Sequence, residues 1–532
     1  MSPTGNTVDA SVRGSSSPVP PQWWRQSVIY QIYPRSFADS NGDGVGDLAG
    51  IRSRLDHLEH LGVDALWLSP TQPSPMADFG YDVADYCDID PLFGDLAAFD
   101  DLVDDVHRRG MRLVMDYVPN HTSDRHPWFA AARDDPDSPY RDYYVWRDPA
   151  PDGGPPNNWL RAFSPEPAWT LDEASGQYYL HLFLPEQPDL DWNNPGVRRD
   201  MADVLRFWMD RGVDGFRADV VHCIGKPATL PDAPDDLAGL PACIFDQGPG
   251  THERLRELRS VVDGSDPGRH LLLGETAVFD REQQLGYLGA GDELHLAFNF
   301  LALHTQWDAE AWRAEIRATY DAYESIGAWP TWVMSNHDLP RHASRYGSTA
   351  RARAAAVLLL TLRGTPFLYQ GEELGLFDAD VPEGRVVDPG GRDGCRAPMP
   401  WTREPEESWG AEPWLPVGDG RVGHDVETQQ GNPASMLEHY RRLLALRRSE
   451  PLLRTGAIDL LDAPDGVLRF VRGPEQGSGP DGIEVAVNFT DEPIAAAHSA
   501  GRWLGGTTWP PPPDGLATGH LGPDEAVVVE PG

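Results

Sequence analysis

The stretch "GFRADVVH", Gly215 to His222, sets a cation and a carboxylate two residues apart, Arg217 and Asp219, in a run that otherwise reads as a buried strand. Alternation along a strand puts both on one side. Alone, such a pair is usually a structural ion pair. Other polar residues, however, stand at the ends of other apolar runs: Asp116 and His121 in "RLVMDYVPNH", Glu275 in "LLLGET", His337 and Asp338 in "TWVMSNHD". Carboxylates converging with two histidines and an arginine would be costly to bury for stability alone. Such a group, with one carboxyl protonated and another ionised, can donate a proton and attack an electrophile.

The elements that must position these residues recur as an amphipathic helix, a glycine and a short apolar strand. In "GIRSRLDHLEHLGVDALWLSP", Ile51, Leu55, Leu58 and Leu61 keep helical spacing, Gly62 stands where a helix end wants a left-handed residue, and "ALWLSP" follows as strand. The unit returns through Gly110, Gly212 and Gly364. Eight strands are expected, in "VIYQIYP", "ALWLSP", "RLVMDYVP", "GFRADVV", "LLLGET", "HLAFNF", "TWVMSNHD" and "TPFLYQGEE". Helices alternating with fully apolar strands argue for a parallel sheet, and eight of them suit a (β/α)₈ TIM barrel with insertions. A doubly wound sheet is the alternative, but no G-x-G-x-x-G opens a helix. The expected domains are a disordered tail over 1–20, the barrel over 21–120 and 196–453, an inserted subdomain over 121–195 after the third strand, and an antiparallel β domain over 454–532. In a barrel the polar residues named above all fall at the C-terminal mouth, where such folds place their chemistry.

With 532 residues the chain can bury a large core, and its net charge of -39 repels phosphate backbones and anionic lipid. Nucleic-acid and membrane partners are therefore not expected; a neutral or cationic small molecule is. Lys226 is the only lysine among 44 Lys and Arg residues, a skew read as composition bias, with a salt-adapted surface as the other reading. The four cysteines, Cys87, Cys223, Cys243 and Cys395, show no C-x-x-C spacing, so neither a disulfide framework nor a zinc site is suggested. No apolar run reaches the length of a membrane span and the start lacks the order of a signal peptide, which gives the expectation of a cytoplasmic protein.

With "DYVPNH", "GFRADVVH", "GETAV" and "SNHD" in this order, and "QPDLDW" from Gln187 to Trp192 between the insert and the fourth strand, the chain resembles the α-amylase family, glycoside hydrolase family 13, in its oligo-1,6-glucosidase and α-glucosidase branch. The resemblance spans roughly Pro21 to the C-terminus. It implies Asp219 as nucleophile, Glu275 as general acid/base and Asp338 as a third carboxylate holding sugar hydroxyls. Arg217 would keep Asp219 ionised, since a nearby cation lowers a carboxylate pKa by about 1 to 3 units. The apolar flank of Glu275 would raise its pKa. His121 and His337 would hydrogen-bond the glucose. In "ADFGYDVADY" the resemblance implies Asp78 on the terminal hydroxyls and Tyr81 stacked on the ring; Arg396 in "GRDGCRAPMPW" would pair with Asp78, with Arg392 as second choice, and Phe183 would form an aromatic wall.

The activity so implied is a retaining, exo-acting α-glucosidase that removes terminal non-reducing glucose from short α-glucosides through a glucosyl-Asp intermediate. An α-glucosyltransferase or isomerase using the same carboxylates on sucrose or maltose is the alternative. Val220, after the nucleophile, leaves α-1,4 and α-1,6 linkages both open. No cofactor is expected for the chemistry. "DSNGDGVGD" has oxygen ligands at EF-hand-like positions, but position 12 is Gly50 and no flanking helix pair is evident, so it is no EF-hand. The resemblance implies a structural Ca²⁺ or Mg²⁺ there, held by Asp39, Asn41, Asp43, the Val45 carbonyl and Asp47; a metal-free Asx-turn loop is the plainer reading.

Overall fold

A computed structural model describes residues 22–245, 249–264, 266–474 and 482–532 of the chain; the tail expected over 1–20 lies outside them. The eight expected strands are present as β1 (Ile29–Ile32), β2 (Ala65–Leu68), β3 (Arg112–Tyr117), β7 (Gly215–Ala218), β8 (Leu271–Gly274), β9 (Leu296–Ala297), β10 (Thr331–Val333) and β11 (Thr365–Tyr369). The insert supplies β4 (Trp146–Arg147), β5 (Trp169–Asp172) and β6 (Gln177–Leu180). The barrel strands pair in the order β10-β11-β1-β2-β3-β7-β8-β9, every ladder parallel. All residues of β1, β2, β7, β8 and β11 are buried, which is why these runs are apolar on both faces.

The helices between them follow the expected chemistry. Asp95 caps the helix Leu96–Arg108 by accepting from the Ala98 amide, and that helix buries Phe99, Leu102, Val103 and Val106. The single helix expected over Ile51 to Leu61 is instead two, Leu48–Ser53 and Leu55–Leu61, joined at Arg54. Gly62 ends the second at φ 96°, a conformation that costs a side-chain-bearing residue more.

The two ends of the strand order, β9 and β10, share no backbone ladder among the described residues. One hydroxyl spans them: Thr331 Oγ1 donates to the Ala297 carbonyl at 2.9 Å and accepts from the Asn299 amide at 3.0 Å. Phe298, Phe300, Trp329 and Val333 pack together in one apolar cluster around this seam.

In the insert β4, β6 and β5 form a small antiparallel sheet. Bridges from His121 to Asp189 and from Tyr144 to Leu190 bring its two ends together. After the helix Met436–Ser449 comes a six-stranded antiparallel sheet of β12 (Ala457–Leu461), β13 (Val467–Gly473), β14 (Ile483–Asn488), β15 (Gly501–Gly506), β16 (Leu516–Ala517) and β17 (Ala526–Pro531), ordered β12-β13-β14-β17-β15-β16. Buried Arg447 and Arg472 join it to the barrel. Both donate to the Leu453 carbonyl, and they satisfy Leu360 and Thr361 carbonyls at the end of the helix Thr349–Thr361. The architecture is a (β/α)₈ barrel with an insert after the third strand and a C-terminal antiparallel β domain.

Candidate active site

At the C-terminal ends of the barrel strands, Asp78, Tyr81, His121, Phe183, Asp219, Glu275, His337 and Asp338 line one cavity of about 290 Å³ together with Arg392, Phe163 and Cys243. Its size is near the lower end of the roughly 300–1,000 Å³ usual for small-molecule sites. β3, β7 and β8 are neighbours in the sheet, and their ends bring Asp116, Asp219 and Glu275 to one guanidinium. Arg217 Nη1 donates to Asp116 Oδ1 at 2.7 Å and Asp219 Oδ1 at 2.6 Å, while Nη2 donates to Glu275 Oε2 at 2.6 Å. Arg217 is 2 % exposed.

Three carboxyls around one cation cannot all be charged cheaply. Burial pushes the Asp219 carboxyl up; Arg217 pulls it back, and Glu275 and Asp116 push it up again. This corrects the expectation that the arginine alone keeps Asp219 low. The same burial pushes Asp116 up to about 6 against the pull of Arg217. Asp219 and Glu275 share Arg217 as a common partner, and the nearness of Glu275 is one of the causes that raise Asp219. The apolar flank expected around Glu275 is not what its carboxyl meets: Oε2 accepts from Arg217 and from the Val220 amide at 3.1 Å. To aim that amide, Val220 adopts φ 34° and ψ 42°; a β-branched residue in the left-handed region stores about 1–3 kcal/mol of strain.

The opposite wall is built by β10 and the loop after β11. Arg392 Nη2 donates to Asp78 Oδ1 at 2.6 Å, Arg392 Nη1 to Asp338 Oδ1 at 3.1 Å, and Arg396 Nη2 to Asp338 Oδ1 at 3.2 Å. Both arginines also bond Asp388. The partner of Asp78 is thus Arg392, where Arg396 was expected. Arg396 is turned inward, its Nε donating to the His337 carbonyl at 2.8 Å and its plane 5.3 Å from the Tyr33 ring, so it does not reach Asp78. Burial pushes Asp338 up, but His337, Arg392, Arg396 and Arg217 outweigh it and hold the carboxyl well below its usual range.

Between the walls lie two neutral histidines. Burial lowers His337 to about 3 and His121 to about 4, against the opposing pull of Asp338 and Asp189. Tyr81 stacks on His337, centroids 5.5 Å apart and planes within 6°, and its hydroxyl meets His337 Nε2 at 2.7 Å. Phe183 packs 5.2 Å from the His121 ring.

Several contributors were not singled out from sequence. Asp388 anchors both arginines, Phe163 lies 4.8 Å beneath Arg392, and Cys243 lines the cavity; no motif marks them. Gln187 heads "QPDLDW", and that marker was the available signal: its Nε2 donates to Asp78 Oδ2 at 3.2 Å.

Loop 39–47 offers oxygen donors only, the set a hard divalent cation takes. Its side chains are turned to the loop's own amides. Asp39 accepts from Asn41, Gly42 and Gly44, Asn41 from Asp43, Asp43 from Val45, and Asp47 from Ser40 and Gly50. Among the described residues no three His, Cys, Asp or Glu side chains gather closely enough to hold a metal ion.

Comparison with known proteins agrees with this arrangement. A family model for the α-amylase catalytic domain matches residues 31–456. A probable α-glucosidase of Rhizobium meliloti (strain 1021) is 42% identical over 507 residues, which cover 88% of this chain and 90% of that one. An oligo-1,6-glucosidase of Parageobacillus thermoglucosidasius is 38% identical over 521 residues, 88% and 91% of the two chains. The crystal structure of the α-glucosyl transfer enzyme XgtA superposes with a TM-score of 0.85 at 40% identity, covering 96% of this chain and 100% of that one. The barrel, the carboxylate-lined mouth and these likenesses make one statement: the chain belongs to the α-amylase family of glycoside hydrolases.

Proposed function

We propose that this glycoside hydrolase is a retaining, exo-acting α-glucosidase. Asp219 attacks the anomeric carbon as the glycosidic C–O bond breaks, and Glu275 delivers a proton to the departing oxygen. Water then cleaves the glucosyl-Asp219 ester while Glu275 takes its proton back. Asp338, His121 and His337 hold the sugar hydroxyls, with Tyr81 and Phe183 as walls. The observation that carries the reading is the ion pair of Asp78 with Arg392, which lines the same small cavity as Asp219 and Glu275. With that pair closing the cavity behind the terminal glucose, a longer chain would find no room on the non-reducing side of the cut.

The test is product size from a reducing-end-labelled maltooligosaccharide. Labelled chains shortened one glucose at a time, with α-glucose as the first anomer seen by NMR, are expected; early internal fragments would sink the exo reading. A second reading, glucosyl transfer to a sugar acceptor in place of water, is favoured by the likeness to XgtA. Products larger than the substrate on concentrated maltose or sucrose would decide for it.

Short α-glucosides are the proposed partners, in the cytoplasm. The net charge of -39 disfavours nucleic acid and anionic lipid as partners. A structural Ca²⁺ or Mg²⁺ in loop 39–47 is proposed on the chemistry of its donors. Treatment with EDTA is then expected to lower the melting temperature and added divalent cation to restore it; an unchanged melting temperature would remove the metal from the account.

A further inference from the structure

A second groove, of about 470 Å³, has no lining residue in common with the catalytic cavity. It lies between the loop after β2, the helix Pro127–Asp134 of the insert and the helix Pro195–Asp210 of the barrel. One of its lining residues is His126, whose ring is buried, 5 % exposed. His126 Nδ1 accepts from the Trp128 amide at 3.1 Å and so caps the helix Pro127–Asp134. A backbone amide only donates, so in the neutral ring the proton stands on Nε2. The ring is neutral because burial alone lowers it to about 3. Among the described residues this Nε2–H has no partner, and neither has the indole N–H of Trp128, whose ring lies 4.4 Å from that of His126. Neither atom is shut off from solvent. The mechanism of the catalytic cavity uses none of these groups.

The rest of the groove narrows the chemistry of what can fill it. Tyr86 and Phe207 line it with Trp128, and three carboxylates, Asp85, Asp200 and Asp203, stand at its edge. One oxygen of Asp85 accepts from the Cys87 amide and one of Asp203 from Arg206, which leaves the second oxygen of each unpartnered. An anion is repelled by these carboxylates. A purely apolar ligand would cover two N–H donors without pairing them, which costs free energy. A neutral polyol avoids both faults. Its oxygens accept from His126 and Trp128, its hydroxyls donate to Asp85 and Asp203, and the C–H faces of a pyranose ring cover the aromatic side chains.

We propose that this groove is a second, non-catalytic binding site for a neutral oligosaccharide, which the paired donors of His126 and Trp128 and the free carboxylate oxygens of Asp85 and Asp203 hold by its hydroxyls. The groove is larger than the 290 Å³ cavity assigned to a single glucose, which suits a ligand of more than one ring. That the rings are α-linked glucose rests on the α-glucosidase reading; that the ligand is a neutral sugar does not.

The indole N–H of Trp128 is itself the reporter. In the full chain carrying Asp219→Asn, so that no substrate turns over, ¹⁵N-labelled tryptophan gives one signal that is identified by its loss in Trp128→Phe. Added maltotriose is expected to shift that signal to saturation, and to do so equally when deoxynojirimycin already fills the catalytic cavity. No shift, or a shift that deoxynojirimycin abolishes, overturns the proposal. Inorganic phosphate is expected to leave the signal in place; a response to phosphate and none to maltotriose also overturns it. In Asp203→Ala and in Phe207→Ala the affinity read on this signal should fall about tenfold, while kcat/KM on an aryl α-glucoside, measured with Asp219 intact, stays within about twofold of the wild type. Unchanged affinity in Asp203→Ala, an exposed position whose loss the fold tolerates, overturns the assignment even if Phe207→Ala fails to fold. A wild type that hydrolyses no α-glucoside would refute the proposed function and leave the Trp128 signal to decide the groove.

Discussion

The two walls of the cavity are built from the same ingredients in different proportion. On the side of β7, one guanidinium meets three carboxyls, those of Asp116, Asp219 and Glu275; on the side of β10, two guanidiniums meet three, those of Asp78, Asp338 and Asp388. The cation-poor wall drives Asp219 up and Asp116 to about 6, whereas the cation-rich wall holds Asp338 well below its usual range. On the first wall burial and crowded carboxyls favour a proton on Asp219 and Asp116; on the second, His337 and the arginines keep Asp338 charged.

The largest effect should come from the proton-bearing wall. Asp219→Asn is expected to lower turnover by about 10⁴-fold or more while the fold persists, because an amide cannot form the glycosyl ester. An active variant with normal α-glucose release would break the comparison at its centre. Glu275→Gln should cost about 10²–10⁴-fold on poor leaving groups and far less on the first step with an acidic phenol, where little protonation is needed. Added azide should restore its turnover. Equal damage across leaving groups, measured on a series of aryl α-glucosides, would deny Glu275 the proton.

The holding wall is tested by its two arginines. Arg392→Met should reduce kcat/KM by about 10²-fold, since it leaves the Asp78 carboxyl buried and unpaired in the cavity. Arg396→Met, which removes a group turned away from Asp78, should lower the melting temperature more than it affects KM. Identical kinetic losses would erase the distinction between the arginine that faces the cavity and the one behind it.

The smallest effect is on stability, with opposite signs for the two walls. Asp116 is raised to about 6, above its ordinary value near 3.9. The folded state thus holds this proton more tightly, a contribution complete below about pH 4 and lost as pH rises through 6, worth at most about 3 kcal/mol. Asp338, held low, acts in the reverse sense: its contribution is present above about pH 4 and lost as pH falls. Melting temperatures of wild type and Asp116→Asn between pH 4 and 7 should shift in favour of the variant as pH rises. A constant gap would detach Asp116 from the argument.

How much of this was legible in the chain depended on whether geometry followed from spacing. All eight barrel strands were readable because burial on both faces forces apolar runs, and the C-terminal ends of parallel strands then fix where Asp219, Glu275 and Asp338 go. Loops gave less. Arg392 and Arg396 lie four apart in "GRDGCRAPMPW", and which one reaches Asp78 is set by the turn at Gly390 and Gly391 and by Asp388, not by any periodicity. The surroundings of Glu275 were misjudged for a related reason. The preceding Leu271 and Leu273 pack in an apolar cluster, and what the carboxyl meets is Arg217 from the adjacent strand. Charge balance was also invisible, because three carboxyls from three strands gather on one arginine only once the sheet is closed.

The hydroxyl of Thr331 has a consequence for how the barrel comes apart. Elsewhere neighbouring strands are joined by repeated amide bonds, but between β9 and β10 the closure passes through one side chain and an apolar cluster. Breathing motions that separate strands should begin at this join, where fewest bonds must break together. Amide hydrogens of β9 and β10 should accordingly exchange with deuterium sooner than those of β2 and β3. Asp338, hung just past β10, then sits beside the join that yields first, whereas Asp219 follows β7, two strands in from its other edge.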